Sequence, residues 1–256
     1  MNQLAASALC LLLFGVGACA KKDPRPMRTE PWLAHPPASA SANSDAATPA
    51  TRYTLTEQSV IRLELPTKRG PLRGSLTRIT GELSIDRRDL AQSRGQVRAD
   101  LGTLSVQGAD GNADAALLAQ ARNALDLADA SGASAASTFE LTAFEDASPA
   151  QLESAPEGDG GAPFVRRARG TAVGDLLLHG FRVTRRASLE AEFGFGGDRQ
   201  VPSTVVIRSR TPFVISLETH AIRALELEGA GKAHSGASPR AREIRVSIEL
   251  YGRKFE

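Results

Sequence analysis

From Tyr53 onward the chain alternates apolar and polar residues with a period of two, and this pattern restricts the fold more than any other feature. Every second side chain of an extended strand points to the same face, so alternation marks strands with one apolar and one wetted face. In "SVIRLEL" Ile61, Leu63 and Leu65 alternate with Arg62 and Glu64. "GELSID" sets Leu83 and Ile85 against Glu82, Ser84 and Asp86, and "QVRADL" sets Val97, Ala99 and Leu101 against Gln96, Arg98 and Asp100. "TFELTAF" places Phe139, Leu141 and Ala143 on one face, and "SLEAEFGF" does the same for Leu189, Ala191, Phe193 and Phe195. "PFVISLE" contributes Phe213, Ile215 and Leu217, and "EIRVSIEL" contributes Ile244, Val246, Ile248 and Leu250. Strands of this kind belong to antiparallel sheets wetted on one side, and many in series imply an all-β barrel or sandwich.

Two segments interrupt the series. In "ADAALLAQARNALDLADA", residues 113–130, Leu117, Leu118, Ala121 and Leu125 recur at three and four residues. That spacing and the alanine content predict one helix, packed across an edge or an open end. Residues 145–163 are rich in Pro, Gly and acids. They read as a long hairpin loop inserted between two strands.

The N-terminus carries a different signal. The uncharged run from Leu4 to Ala20 falls short of the ~18 apolar residues of a spanning helix and is diluted by glycine and alanine. An export signal fits better, although "MNQ" ahead of the run has no Lys or Arg. Val16-Gly17-Ala18-Cys19 resembles a bacterial lipobox, in which the cysteine is acylated and becomes the mature N-terminus. Residues 1–18 are then a signal peptide that removes Cys10, and Cys19 is the lipidated residue. The mature chain keeps no second cysteine for a disulfide. Residues 19–51, with "HPPASASANSDAATPA" near their end, cannot bury enough apolar surface to offset chain entropy and read as a flexible tether. Residues 52–256 remain as one domain, large enough to hold its own core. The expected location is the bacterial cell envelope, lipid-anchored and facing the periplasm.

Charge and motifs remove several function classes. The 31 basic and 29 acidic residues leave a net charge of +2, too small to indicate nucleic acid. Clusters at Arg166, Arg167 and Arg169, at Arg185 and Arg186, and at Arg208 and Arg210 lie at strand spacing and read as solvated faces. His35, His179, His220 and His234 are scattered, with no metal-binding spacing. No G-x-S-x-G elbow, phosphate loop or dinucleotide fingerprint occurs, so no catalytic residue, metal or cofactor is expected. His179 before Gly180 reads as a turn residue, and it is the histidine best placed to line something.

The order of these features resembles the YceI-like family of periplasmic polyisoprenoid-binding proteins. The resemblance begins at "YTLTEQSVIRLEL" and continues through "LRGSLTRITGELSID", with Gly74 and Gly81-Glu82-Leu83. It runs on through "RNALDLADA", "STFELTAF" and "GDLLLHGFRVTRRASLEAEF", and ends at "REIRVSIELYGRK". Order and spacing carry it across nearly all of residues 52–256. It implies a lipocalin-like antiparallel barrel of about eight strands, with an apolar lumen that holds an isoprenoid or similar chain. Inward positions rich in small residues, as in Ala168-x-Gly170-x-Ala172-x-Gly174, Ala99 and Ala191, agree with an interior not filled by bulk. In such a barrel Leu63, Leu101, Leu141, Leu178, Leu189, Phe193, Ile215 and Val246 face the lumen. The expected partners are an apolar chain such as an isoprenoid lipid and the membrane through acylated Cys19, with no nucleic acid; a homodimer stays open. The function implied is carriage or sequestration of the apolar chain without chemistry. Two other readings stay open: a ligand-free barrel that docks envelope proteins, and an enzyme acting on lipids or sugars.

Overall fold

The computed structural model describes residues 50–65, 71–108, 111–127, 135–154, 164–196, 200–220, 222 and 243–255. The signal peptide, Cys19, most of the tether and residues 155–163 lie outside the described residues. The strands are β1 Thr51–Leu55, β2 Val60–Leu65, β3 Leu72–Leu76, β4 Ile79–Ile85, β5 Arg94–Asp100, β6 Ser105–Val106 and β7 Ala136–Ser148. They continue with β8 Phe164–Leu178, β9 Phe181–Phe195, β10 Thr204–Ser209, β11 Phe213–Ser216 and β12 Glu243–Lys254.

All pairings are antiparallel, and the order β1-β4-β5-β7-β8-β9-β10-β12 returns from β12 to β1, closing a ring of eight strands. Closure satisfies the edges that an open sheet would expose. Strand β12 is long enough to take two partners on each side. Its Gly252–Lys254 end pairs with β1 and its Arg245–Glu249 stretch with β2, while β10 and β11 share the other side. Strand β2 leads on to β3 and the short β6. The bend between β1 and β2 is fixed by Ser59, 1% exposed, whose Oγ accepts the Tyr251 N–H at 3.0 Å.

Alternation predicts the buried faces well, with one shift. A β-bulge between Leu141 and Ala143 moves the inward phase, so Phe144 is buried and Ala143 does not continue the face of Phe139 and Leu141. Leu101, read as part of a strand, sits in a single turn of 3₁₀ helix just after β5 and remains buried.

The predicted helix is the shorter α1, Ala115–Ala124. Asp114 caps it by accepting the Ala116 and Leu117 N–H groups at 2.9 and 3.0 Å. Just past its C-terminus Asp126 takes φ 55°, and there the Leu127 N–H reaches the Arg122 carbonyl at 2.7 Å and the Asp126 N–H the Asn123 carbonyl at 3.1 Å. The turn leaves Leu125 and Leu127 buried against the core.

The segment read as an exposed insertion begins as sheet. Glu145–Ser148 belong to β7, with Ser148 opposite Arg169 on β8. Beyond them the Leu90 N–H donates to Ala150 and the Leu152 N–H to Arg87, and Leu152 is buried. Leu152 is the apolar residue in an otherwise polar stretch, which is why composition alone hides its role.

On the outer face the basic clusters are matched by carboxylates across neighbouring strands. Arg167 pairs with Glu192 at 2.8 Å, Arg208 with both Glu192 and Glu249 at 2.9 and 3.0 Å, and Arg62 with Glu249 at 3.2 Å. Glu249 also accepts the Tyr251 hydroxyl at 2.7 Å. That hydroxyl first, then Arg208 and Arg62, hold its carboxyl at about 2, below the ordinary 4.5. A carboxyl depressed on folding stabilises the fold above its unfolded value and loses that stabilisation as pH falls from 4.5 toward 2. Glu249→Gln is therefore expected to cost about 1 kcal/mol at neutral pH, the pair being partly solvated. Denaturant titration of the variant across that acid range should show a flatter fall in stability than the parent.

Candidate functional site

The interior of the ring divides into a filled end and a hollow end. At the filled end Tyr53, Leu90, Val205, Phe193 and Phe195 are at most 2% exposed. The Tyr53 hydroxyl donates to the Pro202 carbonyl at 2.9 Å, and burial pushes the phenol well above its ordinary range. Arg166, inward in phase on β8, is held there by Glu153 at 3.2 Å and lies over the Phe164 ring at 5.0 Å.

Toward the other end lies a cavity of about 160 Å³. Apolar space of about this size stays dry and accepts an apolar guest. Its wall carries Leu63 of β2, Leu141 of β7, Leu178 of β8, Leu189 of β9, Ile215 of β11 and Val246 of β12, together with Leu101. Phe193 is not on the wall. It is 2% exposed at the filled end, because the inward face of β9 runs the whole length of the ring and its last turns of pleat meet Val205 rather than the void. Alternation gives the face of a strand but not the depth at which the interior closes.

Sequence reasoning missed other wall residues. Leu125 and Leu127 arrive through the turn after α1, and Ile222 follows β11. The small inward residues divide too. Ala99, Ala172 and Ala187 line the cavity, whereas Ala168 and Ala191 are packed at the filled end. Gly170 and Gly174 make room for aromatic rings, since a Cβ there would lie 2.6 Å from the Phe144 and Phe139 rings respectively. Three of the four small residues of the β8 stripe, Ala168, Gly170 and Gly174, thus serve packing, not volume.

Polar groups gather on the cavity wall where β8 turns into β9. Leu178-His179-Gly180-Phe181 forms a two-residue hairpin turn with φ 52° at His179 and 79° at Gly180, the primed geometry that suits twisted strands. His179 and Arg185 both line the cavity, as does Ser137 on the adjoining strand β7, whose hydroxyl donates to the Leu177 carbonyl at 3.2 Å. The His179 Nε2 and the Arg185 Nε are buried without a hydrogen-bond partner among the described residues. Arg185 Nη2 donates to the Thr219 hydroxyl at 2.8 Å and lies 3.5 Å from the Nε2 of His220, which is fully buried. Burial first, then the Arg185 charge, lower the His220 pKa, so the imidazole is neutral near pH 7. Burial also lowers the Arg185 value. Arg185 and Arg186, read from the sequence as one solvated cluster, therefore split. Arg186 faces outward and pairs with Glu145, while Arg185 shares the inward phase of Ala187 and Leu189. The parity of its position against Leu189 was the available signal.

Among the described residues no group of His, Cys, Asp and Glu side chains could hold a metal ion, and no helix is long and apolar enough to cross a membrane.

No protein-family model matches the sequence, and no curated protein matches it. Among solved structures the chain is similar, at TM-score 0.49 and 14% identity, to BcnA of Burkholderia cenocepacia, over 77% of this chain and 98% of that one. It is likewise similar, at TM-score 0.48 and 12% identity, to a polyisoprenoid binding domain from Saccharophagus degradans implicated in plant cell wall breakdown, over 80% of this chain and 99% of that domain.

Proposed function

We propose that this chain is a YceI-like binding protein of the bacterial envelope that takes a long apolar chain, such as an isoprenoid, into the hollow end of its strand ring. The observation that carries the reading is the cavity, whose wall is hydrocarbon from seven of the eight ring strands except for a few polar groups beside the β8–β9 turn. An apolar chain gains free energy from leaving water for such a wall, at about 0.8 kcal/mol for each buried methylene. The protein contributes enclosure and no chemistry. Mass spectrometry of an organic extract of the purified protein tests this, with about one apolar molecule per chain expected. An extract free of apolar molecules, with no uptake of added isoprenoid alcohol, would contradict it.

The same reading places the domain on a tether from acylated Cys19. Cys19→Ser is expected to move the protein from the membrane to the soluble envelope fraction, since the acyl chains supply the anchoring energy. Fractionation with anti-tag detection measures it, and an unchanged membrane fraction would refute the anchor.

A further inference from the structure

Arg185 stands out among the inward positions of the ring. On β8 the other inward arginine, Arg166, has the Glu153 carboxylate at 3.2 Å. Among the described residues Arg185 forms no ion pair, although eleven such pairs join other charged side chains there. Its contacts are the Thr219 hydroxyl and the neutral His220 ring, neither of which cancels its charge. Its Nε is buried and unused, and so is the Nε2 of His179 on the same stretch of wall. A guanidinium drawn into apolar surroundings without a counterion is costly. The two idle nitrogens and the one uncompensated charge border the same apolar void.

From this arrangement we infer that the ligand is an amphiphile with a singly charged acidic head group, such as a carboxylate, held by Arg185 and His179 while its chain fills the cavity. The inference rests on the apolar-chain reading above and names the other end of that ligand. One uncompensated cation matches one negative charge. A carboxylate has acceptor capacity for the buried Arg185 Nε–H and for an Nε2–H of His179, and a bond to the guanidinium would be charge-assisted.

The test compares palmitate with hexadecanol, which share a chain and differ in the head, by titration of the delipidated protein at pH 8. The parent is expected to bind palmitate about tenfold or more tightly than hexadecanol, the effect of one charge-assisted hydrogen bond. In Arg185→Met that ratio should fall to about one, whereas in Arg186→Met, which alters the outward neighbour, it should persist. Equal affinities in the parent would overturn the head-group inference and leave the apolar-chain reading standing. Binding of neither compound would overturn both. Should Arg185→Met fail to fold, the ratio in the parent still decides.

Discussion

Gly81→Val is expected to destabilise the domain by about 4 kcal/mol, enough to unfold much of a protein of ordinary stability. Two effects add. Gly81 has φ +153°, a backbone conformation that residues with a side chain rarely adopt, and forcing one there costs about 1–3 kcal/mol. A Cβ at this position would also lie 2.1 Å from the Gln96 carbonyl oxygen and 3.0 Å from the Val97 Cα. Those are backbone atoms of the adjacent strand β5, paired with Gly81 through Val97, so they cannot swing aside as a side chain would. Overpacking of this kind adds about 1–3 kcal/mol. Chemical denaturation should show a lower midpoint, and Gly81→Ala should lose nearly as much because the clash starts at Cβ. A midpoint within error of the parent would mean that the β4–β5 pairing differs from the one described.

The second large effect concerns binding. Ala187→Phe is expected to reduce uptake of an apolar chain about 100-fold or more while stability stays within about 1 kcal/mol, since the new ring enters space able to accept a benzene-sized guest. Ala187 is on the cavity wall, between Arg185 and Leu189 on the inward face of β9. Ala168→Phe is the control. On the inward face of β8, Ala168 is 1% exposed and neither it nor its same-face neighbours Arg166 and Gly170 line the cavity, so the ring has no void to enter and the variant should lose about 1–3 kcal/mol. Thermal denaturation and ligand titration of the two variants separate a hollow end from a filled one. Equal destabilisation of both would indicate an interior packed throughout.

The fold was legible because its main determinant is local. Alternation placed Leu63, Leu83, Ala99, Leu189, Ile215, Ile244 and Val246 on inward faces, and the structure buries each of them. What alternation cannot encode is anything that breaks period two without a marker residue. The bulge that turns Phe144 inward carries no glycine, and the end of α1 uses Asp126 in the left-handed conformation where glycine is the usual signal. The helical pattern therefore runs on to residue 130 in the sequence, although the helix stops at Ala124. For the site, alternation supplied directions but not depth. Leu189 and Phe193 have the same phase on β9, yet one borders the cavity and the other fills the closed end. Only the three-dimensional meeting of β9 with β10 and the filled end distinguishes them. Arg185 was readable in principle, since its odd number matches Ala187 and Leu189, but its adjacency to Arg186 made the pair look like one solvated patch.

Methyl NMR of the delipidated protein titrated with geranylgeraniol tests the central claim most directly, because it reports where along the interior the chain lies. The account predicts saturable shifts at Leu63, Leu178, Leu189 and Val246 on the cavity wall, with Leu90 and Val205 at the filled end unmoved. Shifts at the filled-end methyls in place of the wall, or no saturable shift at any of these residues, would contradict it.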